Sequence, residues 1–374
     1  MSADPSLSAL EVDGSAKKNL VVLGVLASMV IGLPLLGMVL AGRPLAPYLR
    51  FPPDTGYVAH APFSWPMFWL LSALVIVGIG PFVYRVVRAH TEGARTRPAS
   101  RFPWWGWAGV AILALAWWLA WNRFSWFERW QEFTFSPLWL GYILLINALT
   151  WRRSGQCMLR NRPYYFIALF PLSAAFWWSF EYLNRFVQNW YYVSPSTFSP
   201  WEYFWYATLP FATVLPAVLG TREWLATYPR LSAGLVSAWR LRGRESKVIA
   251  ALALALAATT LTAIGVWPDY FYAFLWLSPL LAITALQALM GRETIFAPLR
   301  HGDWRVLWQA ALAALLCGLL WELWNYHSLA HWRYSVPFVQ RFEIFHMPLL
   351  GYAGYLPFGL ECLAVASLLE RGRT

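Results

Sequence analysis

Two short acidic motifs carry most of the chemistry this sequence offers. Glu181 and Asn184 stand three apart, and so do Glu322 and Asn325. On a helix that spacing puts both side chains on one face. A carboxylate beside a primary amide can hold and orient a polar group, and the carboxylate can also give or take a proton. A third acid, Glu361, falls inside the last apolar run, four residues beyond Pro357. Ionisable groups within apolar spans mark functional sites by default. The candidate catalytic residues are therefore Glu181, Asn184, Glu322, Asn325 and Glu361. Glu361 could carry a proton or contact substrate, or be a neutral acid hydrogen-bonded in the bundle.

A metal is the second chemistry to weigh. His327 and His331 are four apart, while Glu343 and His346 form a Glu-x-x-His, a spacing used in di-iron bundles. At about 100° per residue, His327 lies about 140° around a helix from Glu322, and His331 about 180°. All can aim at one ion only if the helix ends near Asn325. Interface histidines are the plainer reading. Cys157, Cys317 and Cys362 are scattered, with no thiolate spacing. There is no phosphate loop of the Walker type, no dinucleotide glycine fingerprint and no nucleophile elbow. This argues against ATP-driven or nicotinamide-bound chemistry, and no particular cofactor is implied.

The elements that must position these groups are membrane spans. Of 374 residues, 59% are hydrophobic and 13% charged, where a soluble chain carries about 25% charged residues. Ten apolar segments, near 19–42, 66–85, 104–121, 136–151, 164–182, 200–220, 248–266, 271–290, 306–324 and 348–369, approach the roughly 20 residues that cross a bilayer. The expected fold is an all-α polytopic membrane protein of about ten transmembrane helices. The net charge of +11 does not imply a nucleic-acid partner. Arg43, Arg50, Arg123, Arg129, Arg185, Arg333 and Arg341 fall in one set of loops, and the other 22 Lys and Arg in the alternate set. The positive-inside bias then puts both termini in the cytoplasm of a cell with an inner membrane. Leu231, Leu235 and Trp239, followed by Arg240, Arg242 and Arg244, suggest an amphipathic helix on the inner leaflet. Most of the 26 tryptophans are expected to be interfacial anchors.

A helical hairpin recurs three times. Segments 176–216 and 318–358 each hold Glu-x-x-Asn, then an aromatic triplet (Trp190-Tyr191-Tyr192, Trp332-Arg333-Tyr334), then Pro200 or Pro348, then Leu-Pro-Phe at 209–211 or 356–358. An eroded copy at 117–149 keeps Asn122-Arg123-Phe124, Phe135-Ser136-Pro137 and Leu140-Gly141-Tyr142. The chain thus divides into two N-terminal spans (1–103), three hairpins (104–163, 164–220 and 306–374) and an intervening amphipathic segment with spans seven and eight (221–305). Two Glu-x-x-Asn motifs at one depth would share their desolvation cost by meeting in one cavity near the outer leaflet. The plainer reading is a polar clamp, the carboxylates paired to Arg185 and Arg333.

The rhythm of an acidic residue ending a short span, then Trp-x-Tyr, then Pro, resembles membrane lycopene cyclases and related carotenoid enzymes over Glu181–Tyr192 and Glu322–Tyr334. That family's paired acidic motif is missing, so no residue roles carry over. The resemblance implies an apolar lipid or isoprenoid ligand. The expected function is an integral inner-membrane enzyme modifying a lipid or isoprenoid at the Glu/Asn site. Its rivals are a proton-coupled transporter using Glu361 and a non-catalytic subunit of a redox or pigment complex in the bilayer.

Overall fold

The structure, a computed structural model, describes residues 5–54, 56–89, 100–194, 197–241 and 246–370, with side chains from residue 17 onward. Its helices are α1 (Pro5–Leu40), α2 (Ala46–Leu49), α3 (Trp65–Arg88), α4 (Trp104–Trp121), α5 (Phe135–Ser154), α6 (Met158–Asn161) and α7 (Pro163–Val187). They continue with α8 (Pro200–Phe211), α9 (Val214–Ala226), α10 (Lys247–Val266), α11 (Pro268–Phe271), α12 (Ser278–Leu289), α13 (Arg305–Tyr326) and α14 (Tyr355–Ala366). Two short antiparallel ribbons complete the described elements, β1 (Trp190–Val193) with β2 (His331–Tyr334), and β3 (Glu343–Ile344) with β4 (Met347–Pro348).

Among the described residues, eight helical stretches are long and apolar enough to cross a membrane. Two bent pairs raise this to ten where each counts as one span: Ser125–Phe133 with Phe135–Ser154, kinked by 68°, and Pro268–Leu275 with Ser278–Leu289, kinked by 53°. The protein is an all-α, multi-pass membrane protein. Two spans are broken near their prolines. The α8–α9 span breaks at Ala212 and Thr213, just past Pro210, and the last span changes from a 3₁₀ turn (Leu349–Gly354) to α14 just before Pro357.

Between lipid-facing helices the hydrophobic effect gives little drive, so close backbone approach must hold the bundle. Glycines supply it. A Cβ on Gly37 would lie 2.1 Å from the Thr262 carbonyl, and one on Gly265 2.3 Å from the Pro34 carbonyl, which locks α1 to α10. Gly359 meets the Ala310 carbonyl in the same way, at 2.1 Å, and seats α14 against α13.

The loops gather at two ends. At the basic end, Arg85 donates to the Gly234 carbonyl, Arg153 to Thr227, and the backbone N–H groups of Ser100 and Trp304 to Arg152 and Leu235. At the opposite end, Arg123 donates to the His327 carbonyl, Ser335 N–H to Asn189, and Phe338 N–H to Ala61. Of the basic residues counted above, Arg95, Arg97, Arg242, Arg244, Arg371 and Arg373 lie outside the described residues.

One expectation needs correction and a second needs narrowing. The 231–241 segment is not an amphipathic helix. After a 3₁₀ turn at Pro229–Ser232 it runs as turns and irregular chain, tied by Ala238 N–H to Gly302 and Leu241 N–H to Leu299. Of its three apolar positions Leu235 is buried against the bundle, while Leu231 and Trp239 are exposed. Nor can every tryptophan be a surface anchor, for Trp139, Trp190, Trp308, Trp321 and Trp324 are buried. Trp139 and Trp324 are fully buried, with ring centroids 4.9 Å apart, and Trp177, Trp276 and Trp321 surround Phe358.

Candidate functional site

Each Glu-x-x-Asn motif builds the same knot at the end of its helix. α7 stops when Gln188 turns left-handed (φ 49°) and gives its N–H to the Asn184 carbonyl. The Asn184 side chain then reads the departing strand: Oδ1 accepts from Asn189 N–H (2.9 Å), and Nδ2 donates to the Trp190 carbonyl (2.8 Å). Asn325 does likewise, accepting from Trp332 N–H and donating to the Trp332 carbonyl, both at 2.8 Å. These asparagines therefore bind backbone and turn the chain. Their side-chain hydrogen bonds run to backbone and not to the carboxylates.

The turned strands bring alternate side chains back over the glutamates. Glu181 Oε1 accepts from Tyr192 OH (2.6 Å), Trp190 Nε1 (3.2 Å) and Trp177 Nε1 (3.1 Å). Glu322 Oε1 accepts from Tyr334 OH (2.6 Å), Trp332 Nε1 (3.3 Å) and Tyr355 OH (3.1 Å). Burial, with the facing carboxylate second, pushes the Tyr192 and Tyr334 hydroxyls well above the usual phenol range, so both remain donors.

The third donor differs between the knots, and a single position explains why. Four residues before Glu181 stands Trp177, whose indole reaches the carboxylate. Four residues before Glu322 stands Gly318. A Cβ there would lie 2.3 Å from the Tyr355 ring. The glycine opens room for that ring to lie across α13, and its hydroxyl replaces the missing indole. Donor number is kept at three with different residues.

β1 and β2 pair antiparallel in the register Trp190↔Tyr334 and Tyr192↔Trp332. Residues opposite each other, and residues two apart, point to one face of a ribbon. All four aromatic donors thus form one roof over both carboxylates. Beneath it, Trp177 and Trp321 lie 6.2 Å apart, with Phe358 against both. Glu181 and Glu322 are 3% and 0% exposed.

The knots are not equivalent in what they leave over. Glu322 Oε2 is buried and has no hydrogen-bond partner among the described residues. Neither Glu361 oxygen has one, and Glu361 is also fully buried. It sits six residues beyond Tyr355 on α14, about 9 Å further along the helix, so it stands apart from the roof. The anticipated arginine clamp does not form: Arg185 donates to the Tyr48 and Arg50 carbonyls, and Arg333 to His331.

The metal candidates do not converge. α13 does end at Tyr326, as a metal would require, but the His327 ring then packs on Trp121 (5.0 Å between centroids). His331 and His346 stack on each other at 5.6 Å, while Glu343 accepts from Gln340. Among the described residues, no three His, Cys, Asp or Glu side chains are grouped to hold an ion. Burial first, then the Arg333 and His331 charges, lowers the His346 imidazole below its ordinary value of 6.5.

Sequence reasoning missed a half-buried His–Asp contact at this end. His60 Nδ1 meets Asp269 Oδ1 at 2.6 Å, and Ala61 N–H donates to Asp269 Oδ2. It pins the chain around His60 and Ala61 onto the turn between α10 and α12. Neither residue has a neighbour in sequence that announces the pairing. Trp177, Gly318 and Tyr355 were missed too, although the Trp-to-Gly exchange four residues before each glutamate was visible. No protein-family model, curated protein or solved structure matches the chain.

Proposed function

We propose that the protein is a membrane enzyme acting on a lipid or isoprenoid, with Glu322 exchanging a proton with the substrate. The observation that carries this reading is the unpartnered Oε2 of Glu322 beside an Oε1 that takes three donors. A buried polar atom left unpaired is costly, and enzymes retain such atoms where a substrate completes the bonding. The rings of Trp321 and Tyr355 stack at 5.9 Å beside Glu322, which accepts from the Tyr355 hydroxyl. Such faces hold apolar chains and stabilise positive charge that develops in them. Glu181, under the same roof, is the second carboxylate, and Asn184 and Asn325 fix the strands that deliver the tyrosines.

In this reading the hairpins 164–220 and 306–374 derive from one duplicated unit, and their matched knots support it. The charge bias supports an inner-membrane location with both termini and the basic end cytoplasmic. The knots then face the outer leaflet, and a reporter fused after Gln340 reads outside.

A second reading, proton-coupled transport, draws on Glu361. Its two unpartnered oxygens lie between the roof and the basic end, in a span broken just before Pro357. Transporters use broken spans and buried acids of this kind. The test compares membrane lipids from cells lacking the protein with cells restored by wild type, Glu322→Gln or Glu361→Gln. A lipid species altered by wild type and not by Glu322→Gln supports the enzyme. An unchanged lipid profile in the deleted cells overturns it.

A further inference from the structure

A cavity of about 510 Å³ lies at the basic end, between the start of α7, the end of α9, the 293–301 segment and the end of α14. It is separate from the two knots. Its floor is apolar, with Met158, Leu219, Val306 and Leu363, and its rim is charged. On that rim Arg162 pairs with Glu370 at 3.0 Å and Arg300 with Glu293 at 3.3 Å, so two guanidinium groups are braced by carboxylates. Glu223 accepts from the Met158 N–H at 3.0 Å. Arg222 differs: its Nε is shut away from solvent and has no hydrogen-bond partner among the described residues.

We infer that this cavity binds the phosphate-bearing headgroup of a membrane lipid, with the phosphate on Arg222 between Arg162 and Arg300 and the start of the acyl chains over the apolar floor. Three features point to it. A guanidinium presents N–H donors in a planar fork that fits phosphate oxygens. The volume falls in the range of about 300–1,000 Å³ for small-ligand sites. The site also lies where spans meet their basic loops, the depth of a headgroup, and basic pockets between spans recognise lipid phosphates there.

The rim chooses between sources of phosphate. Glu223, Glu293 and Glu370 offset the three arginines, so a multiply charged free phosphate meets as much repulsion as attraction. A phosphodiester carries one negative charge, and its apolar remainder matches Leu219 and Leu363. The inference stands independently of the chemistry proposed for Glu322.

The test uses the purified full chain in neutral detergent, with phosphatidylglycerol and inorganic phosphate as probes, reading thermal stability and lipid adducts by native mass spectrometry. Phosphatidylglycerol should raise the melting temperature saturably and persist as a bound adduct. Arg222→Gln should weaken that effect roughly tenfold, the loss expected for one charged hydrogen-bonding group. Arg129→Gln, at the other end, should leave it unchanged. If inorganic phosphate reproduces the stabilisation, the lipid source is overturned; if Arg222→Gln binds as wild type does, the site is overturned. Should that variant fail to fold, a photoactivatable phosphatidylglycerol on the wild-type chain decides. Crosslinks within 158–165, 219–223 or 293–301 support the site, and crosslinks confined elsewhere refute it.

Discussion

Replacing Tyr334 with Phe removes one oxygen atom and leaves the ring in place. In the folded protein that oxygen donates to Glu322 at 2.6 Å and accepts from Trp332 at 2.7 Å. Hydrogen bonds to a charged group contribute about 1.5–3 kcal/mol in water-soluble proteins. Between transmembrane helices the measured couplings are smaller, about 0.6 kcal/mol on average and about 1.7 at most. Glu322 keeps Tyr355 and Trp332 as donors, which softens the loss further. Tyr334→Phe should therefore destabilise by about 1–1.5 kcal/mol. Tyr192→Phe, which removes the matching 2.6 Å bond to Glu181, should cost about the same. Unfolding in mixed micelles of increasing denaturing detergent measures both. A double-mutant cycle with Glu322→Leu, which removes the acceptor, isolates the pair and should return a coupling of about 1 kcal/mol. Zero coupling, or a loss at one tyrosine with none at its twin, would refute the matched-knot argument.

Three further outcomes follow from the same geometry. Gly318→Ala should displace the Tyr355 ring and lose its bond to Glu322, destabilising by about 1–3 kcal/mol as overpacking does; unchanged stability would show that the ring has room to move. Gly359→Ala forces its new methyl against the Ala310 carbonyl, a backbone atom that cannot rotate away, so α13 and α14 should separate and the variant should unfold at lower detergent denaturant. The His346 imidazole titrates lower in the folded chain than its ordinary 6.5, so the unfolded chain binds the proton first. Its contribution is fully present above pH 6.5 and declines as the solution is acidified below it; His346→Gln should flatten that part of the stability–pH curve.

The spans were readable because lipid imposes a length and a composition on each one, and all ten apolar runs reappear, two of them as bent pairs. Glu181 and Glu322 were readable as buried acids because each sits in an otherwise apolar run. What surrounds them was only half readable. Trp190 and Tyr192 follow Glu181 by 9 and 11 residues, and Trp332 and Tyr334 follow Glu322 by 10 and 12, but the direction of each strand depends on an asparagine that binds backbone. Tyr355 reaches Glu322 from another helix through space left by Gly318, a relation no local pattern encodes. Tryptophan was readable only in part: its preference for the interface is an average, and Trp139 and Trp324 satisfy the same apolar preference by packing on each other. The plainer reading of the histidines fits the geometry, since His327 packs on the Trp121 ring and no three ligand side chains group among the described residues.

The ribbon of β1 and β2 also sets an order of events while the chain is being made. The first knot closes as soon as Tyr192 emerges, since all three donors to Glu181 lie within α7 and β1. The outer edge of β1, however, has no partner until residues 331–334 follow, after α10, α12 and α13 have entered the bilayer. Until then the half-made protein shows an open strand edge to its surroundings. Pairing with residues 331–334 covers that edge, so the roof over the two carboxylates is complete only when the last hairpin is in place.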